Sequence, residues 1–178
     1  GERQQLTYFD EEGHRYEDGL GGSSFSQPIW STDGTRLALY RSILPSEGIV
    51  EGSIWVVDVS TTRTIEIAPE KMSYGYIVGW SEDGAELAFH FRRSEDNLAG
   101  PEAIYWVDAS NGTVNGVFNS DDIPGNVIER AFPVEDINLV GMISIGFEGI
   151  YLYRTDEQSL KRIEPHNPPN TLHYVVVP

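Results

Sequence analysis

Trp30-Ser31-Thr32-Asp33-Gly34-Thr35-Arg36-Leu37-Ala38-Leu39 decides the fold, because the chain repeats it fifty residues later as Trp80-Ser81-Glu82-Asp83-Gly84-Ala85-Glu86-Leu87-Ala88-Phe89. In each copy an aromatic closes one strand, an Asp-Gly pair turns the chain, and an alternating apolar run returns as the next strand. Asp-Gly between such runs is a strong hairpin signal, since glycine takes the positive φ that tight turns require. A weaker third copy runs from Phe132 to Gly141 with the turn glycine lost. Self-similarity at this period marks a propeller or a solenoid.

Outward from the motif, the chain reads as hairpins. The first repeat predicts strands at Ser26–Trp30, Arg36–Arg41, Ser53–Val59 and Arg63–Ala68. The second predicts Tyr76–Trp80, Glu86–Arg92, Glu102–Asp108 and Thr113–Phe118, and the third Val127–Phe132, Asn138–Ser144, Gly149–Arg154 and Leu160–Glu164. Ile54-Trp55-Val56-Val57-Asp58 corresponds to Ile104-Tyr105-Trp106-Val107-Asp108, again fifty residues on, and both runs are apolar on two faces, as in a strand packed between sheets. A leading strand, Arg3–Phe9, and a trailing strand, Thr171–Val177, flank the repeats, and no amphipathic helix is visible. The expected architecture is all-β and propeller-like, with about three four-stranded antiparallel blades forming a partial or half ring. Residues 1–24 hold the leading strand and a loop, 25–71 blade 1, 72–122 blade 2, 123–165 blade 3 and 166–178 the trailing strand.

Composition narrows the function classes. The 178 residues suit one domain with a real core. There is no cysteine, so no disulfide framework and no Cys-ligated metal is available. With 12 basic against 28 acidic residues the formal net charge is −16, a balance that repels phosphate backbones and anionic lipid. Nucleic acid and membrane are therefore poor partners, and neither is expected; cations or a basic protein patch fit better, and the plain reading of the charge is solubility. No apolar run approaches the roughly 18 residues of a membrane span. The chain opens on Gly1 rather than Met, which leaves room for a removed leader or a larger parent.

The pattern Trp-Ser-x-Asp-Gly-x-x-Leu-Ala, then an Ile-aromatic-x-Val-Asp strand and a polar hairpin, resembles the β-propeller repeat of TolB-type proteins. Gln5-Leu6-Thr7 resembles the blade-ending strand that precedes the motif in that family. The likeness covers nearly the whole chain, strongly over residues 26–118 and weakly after 126. It implies four-stranded blades, about six to a ring, used mostly for protein binding outside the cytoplasm in the periplasm or a secreted setting. The repeat also resembles the propellers that gate prolyl-oligopeptidase-like hydrolases, whose catalytic residues lie in a separate domain. Three blades leave two apolar faces uncovered. A homodimer, a covalent continuation of the chain, or capping by its own terminal strands would close them.

Candidate site residues follow from loop lengths. The tight turns Asp33-Gly34, Asp83-Gly84 and Asn111-Gly112 share one end of the blades. The segments Asp10–Ser24, Ser42–Gly52, Ser94–Pro101 and Asn119–Asn126 read as long loops sharing the other end, where function collects on a rigid scaffold. That end carries Asp10, Glu11, Glu12, Glu17, Asp18, Glu47, Glu51, Glu95, Asp96, Asp121 and Asp122, without the spacing of a calcium loop, so it reads as a solvated acidic rim. Arg41, Arg92 and Arg93 end second strands there. Arg41, Arg92, Arg93, Asp121 and Asp122 are the expected binding residues for a protein partner. Replacing Arg92, Arg93, Asp121 and Asp122 is expected to weaken binding and leave stability nearly unchanged.

Catalytic chemistry finds no footing. His14, His90, His166 and His173 are scattered without metal-ligand spacing, and His90 takes the strand position of Tyr40, which makes it a packing residue. Asp33 and Asp83 serve turns; Asp58 and Asp108 cap the next ones. No Gly-x-Ser-x-Gly elbow and no phosphate-cradling Gly-Lys-Ser/Thr loop occurs, and Asn111-Gly112-Thr113 reads as a turn rather than a glycosylation acceptor. No cofactor and no metal is expected. Trp30 and Trp80 are both expected in the core, where truncation to alanine would cost roughly 3–5 kcal/mol.

Overall fold

Alternating apolar runs between Asp-Gly and Asn-Gly turns fold into antiparallel meanders. The computed structural model of the protein describes residues 22–44, 51–95, 98–123, 125, 127–144 and 149–163. Its strands are β1 (Gly22–Trp30), β2 (Arg36–Leu44), β3 (Glu51–Asp58), β4 (Thr64–Trp80), β5 (Glu86–Glu95) and β6 (Leu98–Asp108), followed by β7 (Val114–Asn119), β8 (Ile128–Pro133), β9 (Leu139–Ser144), β10 (Ile150–Arg154) and β11 (Ser159–Ile163). A single 3-10 turn, Ser120–Asp122, is the helical content among the described residues. Strands β1 to β7 form one sheet in sequence order, and β8 to β11 form a second.

The seven-stranded sheet is two blades sharing one strand. Arg63–Ala68 and Tyr76–Trp80, expected as separate strands, are joined in β4. It pairs with β3 from Thr64 to Met72 and with β5 from Met72 to Trp80. The ladder to β3 slips between Ile67 and Met72, the stretch that contains Pro69, whose missing N–H is tolerated at such an irregularity. Blade 1 is thus β1, β2, β3 and the first half of β4. Blade 2 is the second half of β4 with β5, β6 and β7, and blade 3 is β8 to β11. Three four-stranded antiparallel blades in a partial propeller are what the repeat predicted. The leading strand Arg3–Phe9 and the trailing strand Thr171–Val177 lie outside the described residues.

The repeated turn has one mechanism. Gly34 N–H donates to Ser31 O at 2.9 Å and Gly84 N–H to Ser81 O at 2.9 Å, with the glycines at φ 71° and 69°. Asp33 Oδ1 accepts from Ser31 Oγ (2.6 Å) and Thr35 N (3.0 Å), and Asp83 Oδ1 accepts from Ser81 Oγ and Ala85 N in the same way. These bonds, with that from the Thr35 hydroxyl, hold the Asp33 carboxyl down to about 2. In the third copy Val134 N–H donates to Leu139 O, the bond that Ser31 and Ser81 make to Arg36 and Glu86. Pro133, not Phe132, therefore occupies the tryptophan position, and Asp136 takes the turn aspartate's role toward Asn138 N (2.7 Å).

Cores form between blades. Ala38, Tyr40, Ile54 and Val56 of blade 1 cluster with Trp80, Leu87, Phe89, Phe91 and Tyr105 of blade 2. The other face of blade 2, with Ala88, Ile104, Trp106 and Phe118, clusters with Val140, Met142 and Tyr151 of blade 3. Burying each such side chain contributes roughly 1.5–3 kcal/mol. Trp80 docks on blade 1 and donates Nε1–H to Ile29 O at 3.0 Å, and Trp106 docks on blade 3 through Ile137 O at 2.7 Å. Trp30 corrects an expectation: it is 52% exposed, against 7% for Trp80. The tryptophan packs on the preceding blade, and among the described residues no blade precedes the first.

Candidate functional site

Strand register separates the expected arginines. Residue for residue, Tyr40, Arg41, Ser42 and Gly52 of blade 1 match His90, Phe91, Arg92 and Glu102 of blade 2, because Ser42 pairs with Gly52 as Arg92 pairs with Glu102. Side chains alternate along a strand. Arg41 thus points from the face of blade 1 turned away from blade 2, whereas Arg92 points toward blade 3. Arg41 lies 3.8 Å from Glu66 and its guanidinium sits 5.0 Å from the Trp55 ring. Arg93 lies in β5 opposite Met72. Asp121 and Asp122 are exposed on the 3-10 turn after β7. Its first residue, Ser120, is fully buried and accepts from Glu102 N–H at 3.2 Å, which brings the two aspartates to the same end as Arg92.

The junction of blades 2 and 3 holds a buried polar cluster built on Glu102, which is 3% exposed. Glu102 Oε1 accepts from Arg92 Nε (2.9 Å) and from Arg92 Nη2; Oε2 accepts from Ile128 N–H (2.6 Å) and lies 3.4 Å from His90 Nε2. Burial pushes the Glu102 carboxyl up, and the hydrogen bonds from His90, Arg92 and Ile128 outweigh it, so the group stays below the usual carboxylate range. Tyr76 stacks on the His90 ring at 4.7 Å, and its hydroxyl accepts from Ala131 N–H of blade 3. Burial raises that phenol well above its ordinary range. The cluster ties β5 and β6 to β8 with charge-assisted bonds.

Two expectations change here. Arg92 is a member of this ion pair, so its replacement removes a partner from a buried carboxylate and costs stability. His90 is buried and stacked, as a packing residue should be, yet it also belongs to the ion-paired cluster. The signal was present in the fifty-residue comparison: Tyr40, Ser42 and Gly52 become His90, Arg92 and Glu102 together. Chemically the cluster is closed. Among the described residues His90 Nδ1 is buried with no hydrogen-bond partner, so no hydroxyl there is hydrogen-bonded to it as an activated nucleophile would be. Among the described residues no group of three His, Cys, Asp or Glu side chains is placed to hold a metal ion.

The loop end is shorter than loop length implied. Ser94 pairs with Ala99 and Glu95 with Leu98, so most of Ser94–Pro101 is strand. Ser42 pairs with Gly52 and Ile43 with Glu51 in the same way. Asp10, Glu11, Glu12, Glu17, Asp18, Glu47 and Asp96 of the acidic rim lie outside the described residues, as do His14, His166 and His173. At the opposite end, a groove of about 800 Å³ runs between the tight turns of blades 2 and 3, lined by Glu82, Asp83, Glu86, Asp108 and Asp136 among others. Three of these carboxylates already accept turn hydrogen bonds: Asp83 from Ala85, Asp108 from Ser110 and Asp136 from Asn138. No helix among the described residues is long and apolar enough to cross a membrane.

With the fold in place, likeness to known proteins can be stated. The structure matches TolB from Acinetobacter baumannii with a TM-score of 0.53 at 22% identity, over 81% of this chain and 33% of that one. It matches the β-propeller domain of the Trilobed protease from Pyrococcus furiosus, a domain with an open velcro topology, with a TM-score of 0.54 at 16% identity, over 79% and 43%. The fold is therefore that of a TolB-type β-propeller. In sequence, 74 residues are 34% identical to a probable chloroplastic glutamyl endopeptidase from Oryza sativa subsp. japonica, covering 37% of this chain and 8% of that protein. No protein-family model matches the sequence. The chain spans less than a tenth of the endopeptidase and about a third of TolB.

Proposed function

We propose that this chain is a non-catalytic propeller module that binds a protein partner as part of a larger protein outside the cytoplasm. The observation that carries the reading is that, among the described residues, the carboxylates of the tight turns and of the junction between blades 2 and 3 are held by the scaffold. Asp33, Asp83, Asp108 and Asp136 close turns, Glu102 is saturated by Arg92, His90 and Ile128, and no hydroxyl among the described residues is hydrogen-bonded to His90 Nδ1. The partner surface is assigned to the end that carries Asp121 and Asp122, next to the half-exposed Arg92. Arg93 and Arg41 extend it along the strand ends. The acidic rim suits a basic patch on the partner.

A second reading is supported by the likeness to peptidases: the propeller of a prolyl-oligopeptidase-like hydrolase, with the catalytic residues in another domain. Sequencing the gene on both sides of this segment separates the two. A transmembrane helix or a peptidoglycan-binding region beside it supports the interaction module. A downstream α/β-hydrolase pattern with Gly-x-Ser-x-Gly overturns it in favour of the gating propeller. Hydrolysis of a peptide substrate by the 178-residue chain alone would overturn both.

A further inference from the structure

The chain carries two Asn-Gly pairs, Asn111-Gly112 and Asn115-Gly116, four residues apart. Read as sequence they are equivalent, and both asparagines are exposed. An asparagine followed by glycine is the least hindered setting for attack of the next backbone nitrogen on the side-chain amide carbon, because glycine brings no side chain and turns freely. What separates the pairs is the backbone each is set in. Asn111-Gly112 crosses the tight turn between β6 and β7, with Gly112 at φ 77°. Asn115-Gly116 lies inside β7, with Gly116 fixed opposite Trp106.

At the turn the reacting atoms are brought together. Asn111 Oδ1 accepts from Thr113 N–H at 2.8 Å, which folds the side chain back over the Asn111–Gly112 peptide and polarises its carbonyl toward attack. One bond stands against the reaction: Gly112 N–H donates to Asp108 O at 2.8 Å and must be released first. It lies at the exposed end of a hairpin, where local opening is least costly. The turn itself does not call for Asn-Gly, since the matching positions of blades 1 and 3 carry Thr62 at φ 58° and Gln158 at φ 48°. In the strand the side chain is drawn the other way. Asn115 Nδ2 donates to Glu86 Oε1. Asn115 is the extra residue where the β6–β7 ladder slips, yet Gly116 reaches its amide carbon only by leaving its own place in the ladder. The Asp-Gly turns are spared for another reason. Asp33, held down to about 2 by the Ser31 hydroxyl, and Asp83, held below its ordinary value by Ala85 N–H, are ionised at neutral pH, and a carboxylate is a poor electrophile.

We propose that Asn111-Gly112 is a self-modification site of the folded chain and that Asn115-Gly116 is not. Gly112 N gives its proton to solvent base and bonds to Asn111 Cγ; the Cγ–Nδ2 bond breaks, and the amide nitrogen takes up a proton and leaves as ammonia. Water then opens the cyclic imide. Cleavage at Cγ gives aspartate, and cleavage at the main-chain carbonyl gives isoaspartate, in which the backbone runs through an added methylene. No oxidant, reductant or cofactor takes part. Either product adds a negative charge to a chain already at −16, at the turn closed on Asp108 O, and isoaspartate also lengthens the connection between β6 and β7. This site stands independently of the binding function proposed above.

Peptide mapping by tandem mass spectrometry tests it, on the folded 178-residue chain held in mildly alkaline buffer and on the same chain unfolded in urea. In the fold, amide-to-acid conversion is expected at Asn111 as a mixture of aspartate and isoaspartate. Asn115 should lag by about tenfold or more, since a strand interior opens less often than a turn. In urea the two sites should convert at similar rates. Gly112→Gln, which installs the residue that blade 3 holds at this position, should keep the circular dichroism of the parent and slow conversion at Asn111. The comparison of folded and unfolded parent needs no variant, so it decides the matter even if this one misfolds. Equal rates at the two sites in the fold overturn the inference, as does an Asn111 that stays intact in the fold while reacting in urea. A lag at Asn115 that persists in urea also overturns it, because local sequence rather than the fold would then set the order.

Discussion

Blades 1 and 2 solve one position in two ways. In blade 1 Tyr40 lies over Gly52, so closely that a Cβ on the glycine would come within 2.8 Å of the ring, and the site is filled by an aromatic. In blade 2, fifty residues on, His90 and Glu102 occupy the matching places and Arg92 replaces Ser42. One blade meets its neighbour through packing and the other through a buried ion pair. Hydrophobic filling tolerates loss in proportion to volume, whereas an ion pair fails abruptly when one partner is removed. The junction of blades 2 and 3 should therefore be the more sensitive to single charge-removing changes and to pH.

The largest effects test the blade junctions. Trp80→Ala should cost about 3–5 kcal/mol in urea unfolding, while Trp30→Ala should stay within about 1 kcal/mol in the monomer. Equal costs would mean that Trp30 is as well packed as Trp80. Glu102→Ala should cost about 3–5 kcal/mol by stranding Arg92 and His90. The triple change His90→Tyr, Arg92→Ser, Glu102→Gly transplants the blade 1 arrangement, and it should lose less than the sum of its parts, because the three residues are coupled. Additive losses would show that the two arrangements are not exchangeable.

A smaller effect is expected from acid. Glu102 titrates below its ordinary 4.5 in the folded chain. Its contribution is therefore complete above that value and is lost as pH falls through the lower folded value. Thermal melts from pH 7 to pH 3 should fall below pH about 4.5, and Glu102→Gln should flatten that slope. An unchanged slope would move the acid sensitivity to other carboxylates. Asp33 and Asp58, both held down to about 2 from 3.8 by turn hydrogen bonds, act in the same direction in a lower window.

The smallest effect concerns the turns. Gly34 at φ 71° has nothing within 4 Å of an added Cβ, so Gly34→Ala should cost only backbone strain, about 1 kcal/mol. Gly84 at φ 69° faces the Asp33 carboxylate and Ser31 of the neighbouring blade at 3.4–3.5 Å. Gly84→Ala should therefore cost at least as much, and a cheaper Gly84 change would separate the two turns' environments.

Much of this was legible in the chain. The Trp-Ser-x-Asp-Gly repeat named the strands to within a few residues, because an alternating apolar run bounded by a glycine turn has few other foldings. The same repeat misplaced the third copy by one residue, since Val134 and Ile137 stand where serine and glycine had marked the turn. Hairpin pairing was undercounted as well: Ser94–Pro101 carries serine, glycine and proline and reads as loop, yet cross-strand bonds extend to Glu95 and Leu98.

What the sequence by itself determined is the blade: strand order, tight turns, the roles of Asp33 and Asp83, and interiors apolar on both faces. These depend on neighbours a few residues away, which any window of the chain contains. The tertiary structure decided what depends on contacts between blades. It joined two expected strands into β4, split Arg41 from Arg92 onto opposite faces, and enclosed Glu102 among groups from β5, β6 and β8. It also separated Trp30 from Trp80, two residues with the same local sequence. Burial is a property of what lies across the junction, and a repeat states the same face each time without stating which copies have a neighbour.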